Sequence, residues 1–356
     1  MLVVATSCGS SKDARRGGSD EKWVEVSEII RMLEQSPVAY QIADLDKVPD
    51  IDPKRLAEAQ WPQLIEPVSF PKLDANGQVV PYEMERGCLD LLSAAEPLFE
   101  KKDYAEARKH YEAARAQYPG CYMATVYLGD ATLFGGDPVA AEKLYLEVIE
   151  KNPVDYRGHF FRASALLAQE RVDEAIESYS WALTLRPRHE SILTALHNNA
   201  RHIGATVHDQ PFALRALARK EKDGFGIFFD ADKPYWLSYA AVKAAWMGEP
   251  EVRRRMGANP ERYVGWSSDE ERHALLSLLA TYLYMRSEGK VERDDELERL
   301  HNIGRAKLLT GFILYEVASR MHPHLILTLP KAVQQQVQDY VKRFIMGVGP
   351  REIIPS

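Results

Sequence analysis

Cysteine is scarce in this sequence. Cys8, Cys88 and Cys121 are the only three in 356 residues, too few for a disulfide scaffold. Long apolar runs are also missing. The longest near the C-terminus, Leu308 to Tyr315, stops at Glu316. No run reaches the ~18 residues of a spanning helix, so none is predicted. Cations are in deficit, 45 Lys and Arg against 52 Asp and Glu, for a net charge of −7. Phosphate recognition draws on clustered Lys and Arg, so nucleic acid is not the expected partner. Catalytic signatures are absent too. There is no Gly-rich phosphate loop, no His-Glu-x-x-His and no Gly-x-Ser-x-Gly. His322-Pro-His324 is the one close histidine pair, and it has no acid or cysteine beside it. His189, His197 and His202 do not fall on one helical face. No metal and no cofactor is expected. What remains is ordinary globular composition, 46% apolar and 27% charged. The length predicts about two folding units.

The chain opens with a short apolar run, Leu2 to Ala5, then Thr6-Ser7-Cys8 and a polar stretch, Gly9 to Asp20. This resembles the end of a bacterial lipoprotein signal peptide, in which the cysteine is lipidated and the polar stretch is a tether. The resemblance implies a lipid on Cys8. Two features depart from the pattern. No basic n-region precedes the run, and the run is shorter than usual. A start codon assigned too late would account for both, and a frayed tail with an incidental cysteine is the plain alternative. Residues 1–20 are thus read as signal remnant and tether, and 21–87 as an irregular Pro-rich arm with one helix, Trp23 to Leu33. Pro53, Pro62, Pro67, Pro71 and Pro81 oppose long helices there. Leu64, Ile65, Val68 and Phe70 are the expected anchors of this arm on the next domain.

Between 88 and 203 the chain repeats itself. Ala107, Ala141 and Ala175 are separated by 34 residues each time. The same step links Tyr111, Tyr145 and Tyr179, and also Pro119, Pro153 and Pro187. This period and these residues resemble the tetratricopeptide repeat, a pair of antiparallel helices. Repeats then run over about 88–121, 122–155 and 156–189, followed by a lone first helix, Ser191 to His202. The alanine marks a close crossing of the two helices, the tyrosine is a core knob, and the proline ends the second helix. Leu128-Gly129 and Gly136-Asp137 fit the family pattern in the second repeat. The fold class expected is mostly α: a tetratricopeptide-repeat helical solenoid with an irregular arm, a β-hairpin and a C-terminal helical region.

The hairpin is expected within 204–230, because Lys222-Asp223-Gly224 separates two apolar runs. A loop with a short helix at Leu214 to Lys222 is the alternative. From 231 to 356 the chain reads as helical. Trp236, Tyr239, Ala240, Lys243 and Trp246 form one stripe, Asp295 to Met321 a long helix and Lys331 to Met346 the last helix. Cys88 and Cys121 begin successive first helices. Helix axes lie about 8–10 Å apart, and a disulfide needs Cα atoms within about 7 Å. Two free thiols are therefore the first expectation, with pairing in an oxidising compartment the alternative.

The resemblance also implies a concave groove lined by the first helices. Carried over by register, its residues are Glu96, Phe99, Asp130, Phe134, Arg157, Phe160, Asn198 and Arg201, with a protein or peptide as partner. The Lys and Asn set that clamps peptide carboxylates in some family members is incomplete. The arm, 49–81, or the C-terminal region is an alternative occupant of the groove. The reading is a non-catalytic interaction or scaffold protein. Its expected place is lipid-anchored in the bacterial cell envelope, facing the periplasm or the outside. One rival is a carbohydrate- or peptidoglycan-binding or -active protein that stacks its ligand on Tyr235, Trp236, Tyr239 and Trp246 of segment 225–246. Another is a cytosolic adaptor.

Overall fold

The structure is a computed structural model, and it describes residues 23–349. Cys8 and its neighbours lie outside the described residues. The chain forms two compact units. The first unit takes residues 23–62 and 212–304 of those described, and the second takes 63–211 and 305–349. In chain order, the first unit starts with α1 (Val26–Gln35), β1 (Ala39–Asp44) and α2 (Leu56–Gln60). The second unit follows with β2 (Pro71–Leu73), β3 (Val79–Pro81) and seven helices. These are α3 (Arg86–Glu100), α4 (Tyr104–Gln117), α5 (Tyr122–Phe134), α6 (Pro138–Lys151), α7 (Tyr156–Leu167), α8 (Val172–Leu185) and α9 (Glu190–Asn199). The first unit resumes with β4 (Ala216–Glu221), β5 (Gly224–Phe229), α10 (Trp236–Gly248), α11 (Pro250–Arg255), α12 (Ser268–Ser287) and α13 (Asp295–Arg305). The second closes with α14 (Leu309–Phe312), α15 (Ser319–Met321), α16 (Leu325–Thr328) and α17 (Lys331–Tyr340). The linear segments 21–87 and 231–356 are thus each divided between the units. Among the described residues, no helix is long and apolar enough to cross a membrane.

In the first unit, β4 and β5 form the hairpin read from Asp223-Gly224. A third strand was not legible in the sequence. β1 pairs with β5 in parallel, giving the order β1-β5-β4. β1 reads Ala-Tyr-Gln-Ile-Ala-Asp, with few apolar residues to give a strand signal, and Ile42 stays 41% exposed at the sheet edge. Gly224 makes the pairing possible: its φ is +155° and a Cβ there would sit 2.0 Å from the Ala39 carbonyl oxygen. α10 packs between the sheet and α12 and is buried almost all round. Its Lys243 lies fully buried between Glu270 and Glu271 of α12. Trp246 Nε1 donates to His273 Nδ1 at 2.9 Å, so the ring proton sits on Nε2 and is donated to the Val24 carbonyl, also at 2.9 Å. Burial pulls the His273 pKa down to about 4. The neutral ring thereby ties the stretch before α1 to α12.

In the second unit, the second helices of the three pairs begin at Tyr104, Pro138 and Val172, in the register read from the sequence. Ala107, Ala141 and Ala175 are fully buried, and Tyr111, Tyr145 and Tyr179 lie beneath them. The turn inside each pair passes through the left-handed region at the same step, at Lys102 (φ 63°), Gly136 (φ 94°) and Glu170 (φ 59°). Asp103 and Asp137 then cap the following helix, accepting from the Glu106 and Ala140 N–H groups at 3.2 and 2.9 Å. At the far end, Arg188 pairs with Glu316, which is buried and also accepts from the Tyr340 hydroxyl at 2.9 Å. α16 and α17 pack on α8, so the C-terminal segment closes the exposed end of the array.

Three expectations need correction. Asp295 to Met321 is not one helix: it breaks after Arg305, where Lys307 takes φ 60°. The side chains of Leu64 and Ile65 do not anchor the arm, being 55% and 43% exposed, although the Leu64 N–H donates to the Met321 carbonyl at 2.9 Å; Phe70, Tyr82 and Met84 pack on the repeat core. Cys88 and Cys121 are joined in a disulfide, with Cα atoms 6.6 Å apart. The axis-separation argument fails because Cys121 precedes α5, in a turn where its N–H donates to the Tyr118 carbonyl, and so lies off the helix axis.

The bond closes a loop of 33 residues. Closing such a loop constrains the unfolded chain by about 3–4 kcal/mol. Cys88→Ser with Cys121→Ser is expected to lower the thermal midpoint by several degrees, and reductant to do the same to the natural protein only. Equal melts with and without the bond would refute this.

Candidate protein-interaction groove

The groove-facing residues sit on the first helices of the pairs, so their register follows from the 34-residue step. Phe99 ends α3 and Phe134 ends α5. Their rings meet edge to face at 5.6 Å, and Tyr104 stacks on Phe134 at 5.9 Å. Phe134 is 60% exposed, the large apolar side chain a partner meets first here. Further along, Asp130 Oδ1 accepts from the Tyr145 hydroxyl at 2.6 Å. The Tyr145 ring lies where a Cβ on Gly129 would be, 2.5 Å away, so the glycine lets the tyrosine reach the acid.

Glu96 on α3 faces the same recess. Burial raises the pKa values of Tyr111, Tyr127 and Asp130, and the charge of Glu96 adds to each. Burial, opposed by the Tyr145 hydrogen bond and assisted by Glu96, pushes the Asp130 carboxyl up to about 7. Burial likewise raises Glu96, with Glu100 adding to it. Tyr111 and Tyr127 pack with ring centres 5.5 Å apart, and the Tyr111 hydroxyl is buried with no hydrogen-bond partner among the described residues. The result is an acidic, tyrosine-lined recess next to an exposed phenylalanine.

The other expected residues do not join it. Arg157 is turned to its own loop: Nη1 bonds Asp155 at 2.9 Å and Nη2 donates to the Ser69 carbonyl at 3.1 Å. The Phe70 ring covers its guanidinium at 4.2 Å. The arm therefore occupies the Arg157 end of the array, and Asn152 Nδ2 secures it through the Pro71 carbonyl at 2.8 Å. Phe160 is half-buried among Tyr156, Phe161 and Tyr179. Asn198 is exposed on α9, and Arg201 lies in the turn after that helix. The tyrosines of the recess were legible only as core knobs. The Asp155 anchor was missed, although it precedes the second repeat boundary and takes a 2.5 Å hydrogen bond from Tyr122.

The rival site on segment 225–246 is corrected by burial. Tyr235, Trp236, Tyr239 and Trp246 are between 0% and 3% exposed, so none offers a ring face to a sugar. The nearby acids are engaged internally. Tyr239 donates to Glu271 Oε1 at 2.7 Å, while Trp61, Trp266 and Lys243 all reach Oε2. His324 of the histidine pair is also committed, since the Val68 N–H donates to its Nε2 at 2.7 Å. Among the described residues, no group of three or more His, Cys, Asp or Glu is placed to hold a metal ion.

A family profile described as tetratricopeptide repeat matches residues 92–146 and 133–190. The array consists of tetratricopeptide repeats. Solved structures similar to the chain include the first such domain of Spaghetti (RPAP3) bound to an HSP90 peptide. It is 19% identical, with 33% of this chain and 93% of that one covered and a TM-score of 0.31. The Yersinia enterocolitica type III secretion chaperone SycD, in complex with a peptide of the translocator YopD, is 17% identical, with 34% and 92% covered and a TM-score of 0.31. MamA protein is 13% identical, with 59% and 98% covered and a TM-score of 0.30. No curated protein matches the chain in sequence.

The Asp130 carboxyl binds its proton more tightly folded than unfolded. Its ionisation therefore costs stability as pH rises from about 4 to about 7, by up to ~1.4 kcal/mol per pH unit. Asp130→Asn should remove that slope and leave the protein more stable at pH 8 than the parent. Chemical denaturation at pH 4, 6 and 8 checks it, and parallel pH profiles for both proteins would contradict it.

Proposed function

We propose that this protein is a non-catalytic scaffold that binds a protein segment in its tetratricopeptide groove while a lipid on Cys8 holds it at a bacterial envelope membrane. The groove reading rests on the exposed Phe134 beside the acidic recess. A partner segment offering an apolar side chain to Phe99, Tyr104 and Phe134, and a cationic or hydrogen-bonding group to Glu96 and Asp130, complements what is there. The Arg157 end is covered by the arm, so the binding surface is the first two repeats.

The disulfide between Cys88 and Cys121 supports an extracytoplasmic location, because such bonds persist in oxidising compartments and are rare in the cytosol. It favours the envelope reading over the cytosolic adaptor. Two acyl chains on Cys8 anchor firmly where one binds only marginally.

Both halves are testable. Partners cross-linked in intact cells and identified by mass spectrometry should be lost with Phe134→Ala, while the melting temperature stays within a degree or two. The same partners recovered at equal yield would remove the groove from the function. Expressed from its own gene, the natural protein should enter the detergent phase and carry an acyl mass that Cys8→Ser lacks. If both forms are soluble and unmodified, the anchor is wrong and the groove reading stands alone.

A further inference from the structure

The outer side of the first two repeats carries a second cleft. Its volume is about 540 Å³, within the range of sites that take a small ligand or side chain. α4 forms one wall with Arg108, Glu112 and Arg115, α6 the other with Lys143 and Leu144, and α5 the floor with Leu128 and Thr132. The spacing explains the assembly: residues three, four or seven apart share a helix face. It also separates this cleft from the groove. Asp130 lies two residues from both Leu128 and Thr132, and two residues turn a helix by about 200°. The groove and the cleft are therefore on opposite sides of α5.

The cleft combines an apolar floor with an electropositive rim. Leu128 is 5% exposed and Leu144 packs on the repeat core. Three cations border the opening of a protein whose net charge is −7. Arg115 is held by Glu147 at 2.6 Å and Arg108 only loosely by Glu112 at 3.7 Å, while Lys143 has no acidic partner among the described residues. At the floor, Thr132 is 2% exposed and its hydroxyl has no hydrogen-bond partner among the described residues.

We infer that this cleft is a second protein-docking site, and that it takes an acidic peptide segment with an aliphatic anchor. The anchor side chain lies on Leu128 and Leu144, and flanking carboxylates meet Lys143 and Arg108. A bare anion matches the rim but leaves the apolar floor wet. A purely apolar segment covers the floor but leaves Lys143 unmatched. The inference is independent of the groove, since the two sites share no side chain.

The experiment uses the full chain and three fluorescein-labelled peptides read by anisotropy at low salt: Glu-Glu-Leu-Glu-Glu, the same with Ala at the centre, and the uncharged Gln-Gln-Leu-Gln-Gln. The first should bind at least tenfold more tightly than the other two and weaken as salt is raised. Lys143→Glu should reduce that binding about tenfold or more, and Ala140→Trp, which fills the cleft, should abolish it, both with unchanged circular dichroism. Phe134→Ala should change nothing. Equal binding of the Leu and Ala peptides would reduce the site to a nonspecific cationic patch. Insensitivity to both Lys143→Glu and Ala140→Trp, or loss with Phe134→Ala, would overturn it and assign the peptide elsewhere. Because Phe134→Ala separates the two surfaces, failure here leaves the groove reading untouched.

Discussion

Everything in the second unit depends on how closely paired helices approach at Ala107, Ala141 and Ala175. A small side chain at the crossing brings the backbones together, and the tyrosine one turn on fills the space beneath. Once this contact is fixed, the turn within each pair, the Asp caps and the direction of each first helix recur with it. The concave and outer surfaces then follow as two sides of one layer. The recess around Asp130 shows this most directly. Tyr145, a core knob by its register, reaches past Gly129 and becomes the hydrogen-bond donor that holds the acid of the groove.

The repeats were legible because a periodic constraint writes itself three times, so noise at one copy is outvoted by the others. The hairpin was legible because Asp223-Gly224 demands a special backbone. What was hidden depends on single long-range contacts. β1 acquires strand structure only from the edge of β5, and its own residues lack the pattern. The disulfide depends on where a turn places Cys121, which a helix-axis estimate does not capture. Of the four anchors read in the Pro-rich arm, two dock and two do not. Phe70 finds Arg157 and Val68 finds His324, whereas the more apolar Leu64 and Ile65 face solvent. Of the eight groove residues carried over by register, Glu96, Phe99, Asp130 and Phe134 gather around the first two repeats, and the other four lie apart from them. Register predicts which way a helix face points. It says nothing about which neighbour arrives there first.

The first unit solves a different problem. A lysine and two glutamates sit in its core, where charge is expensive unless fully matched. Two tryptophan N–H groups and two tyrosine hydroxyls reach these acids, from the residue after α2, from α10 and from the loop before α12, while Glu270 Oε2 is left without a hydrogen bond among the described residues. Of the four aromatic residues that read as a ligand platform in the sequence, Tyr235 and Tyr239 are internal donors to Asp294 and Glu271, Trp246 donates to His273, and Trp236 is core. Their spacing records this core, which is why stacking on a sugar was a plausible reading of the residue types and the wrong one for their placement.

The alternation of the two units along the chain also bears on biosynthesis. β1 leaves the ribosome early, but the strand it pairs with follows only after the whole repeat array has been made. Arg188 likewise waits for Glu316. The central helices complete their local contacts as they emerge, whereas both flanking parts must remain open until late segments arrive. Translation thus produces a folded middle with two unfinished ends, and an interrupted chain of any length short of the C-terminal helices leaves an edge strand or a buried charge exposed to quality control.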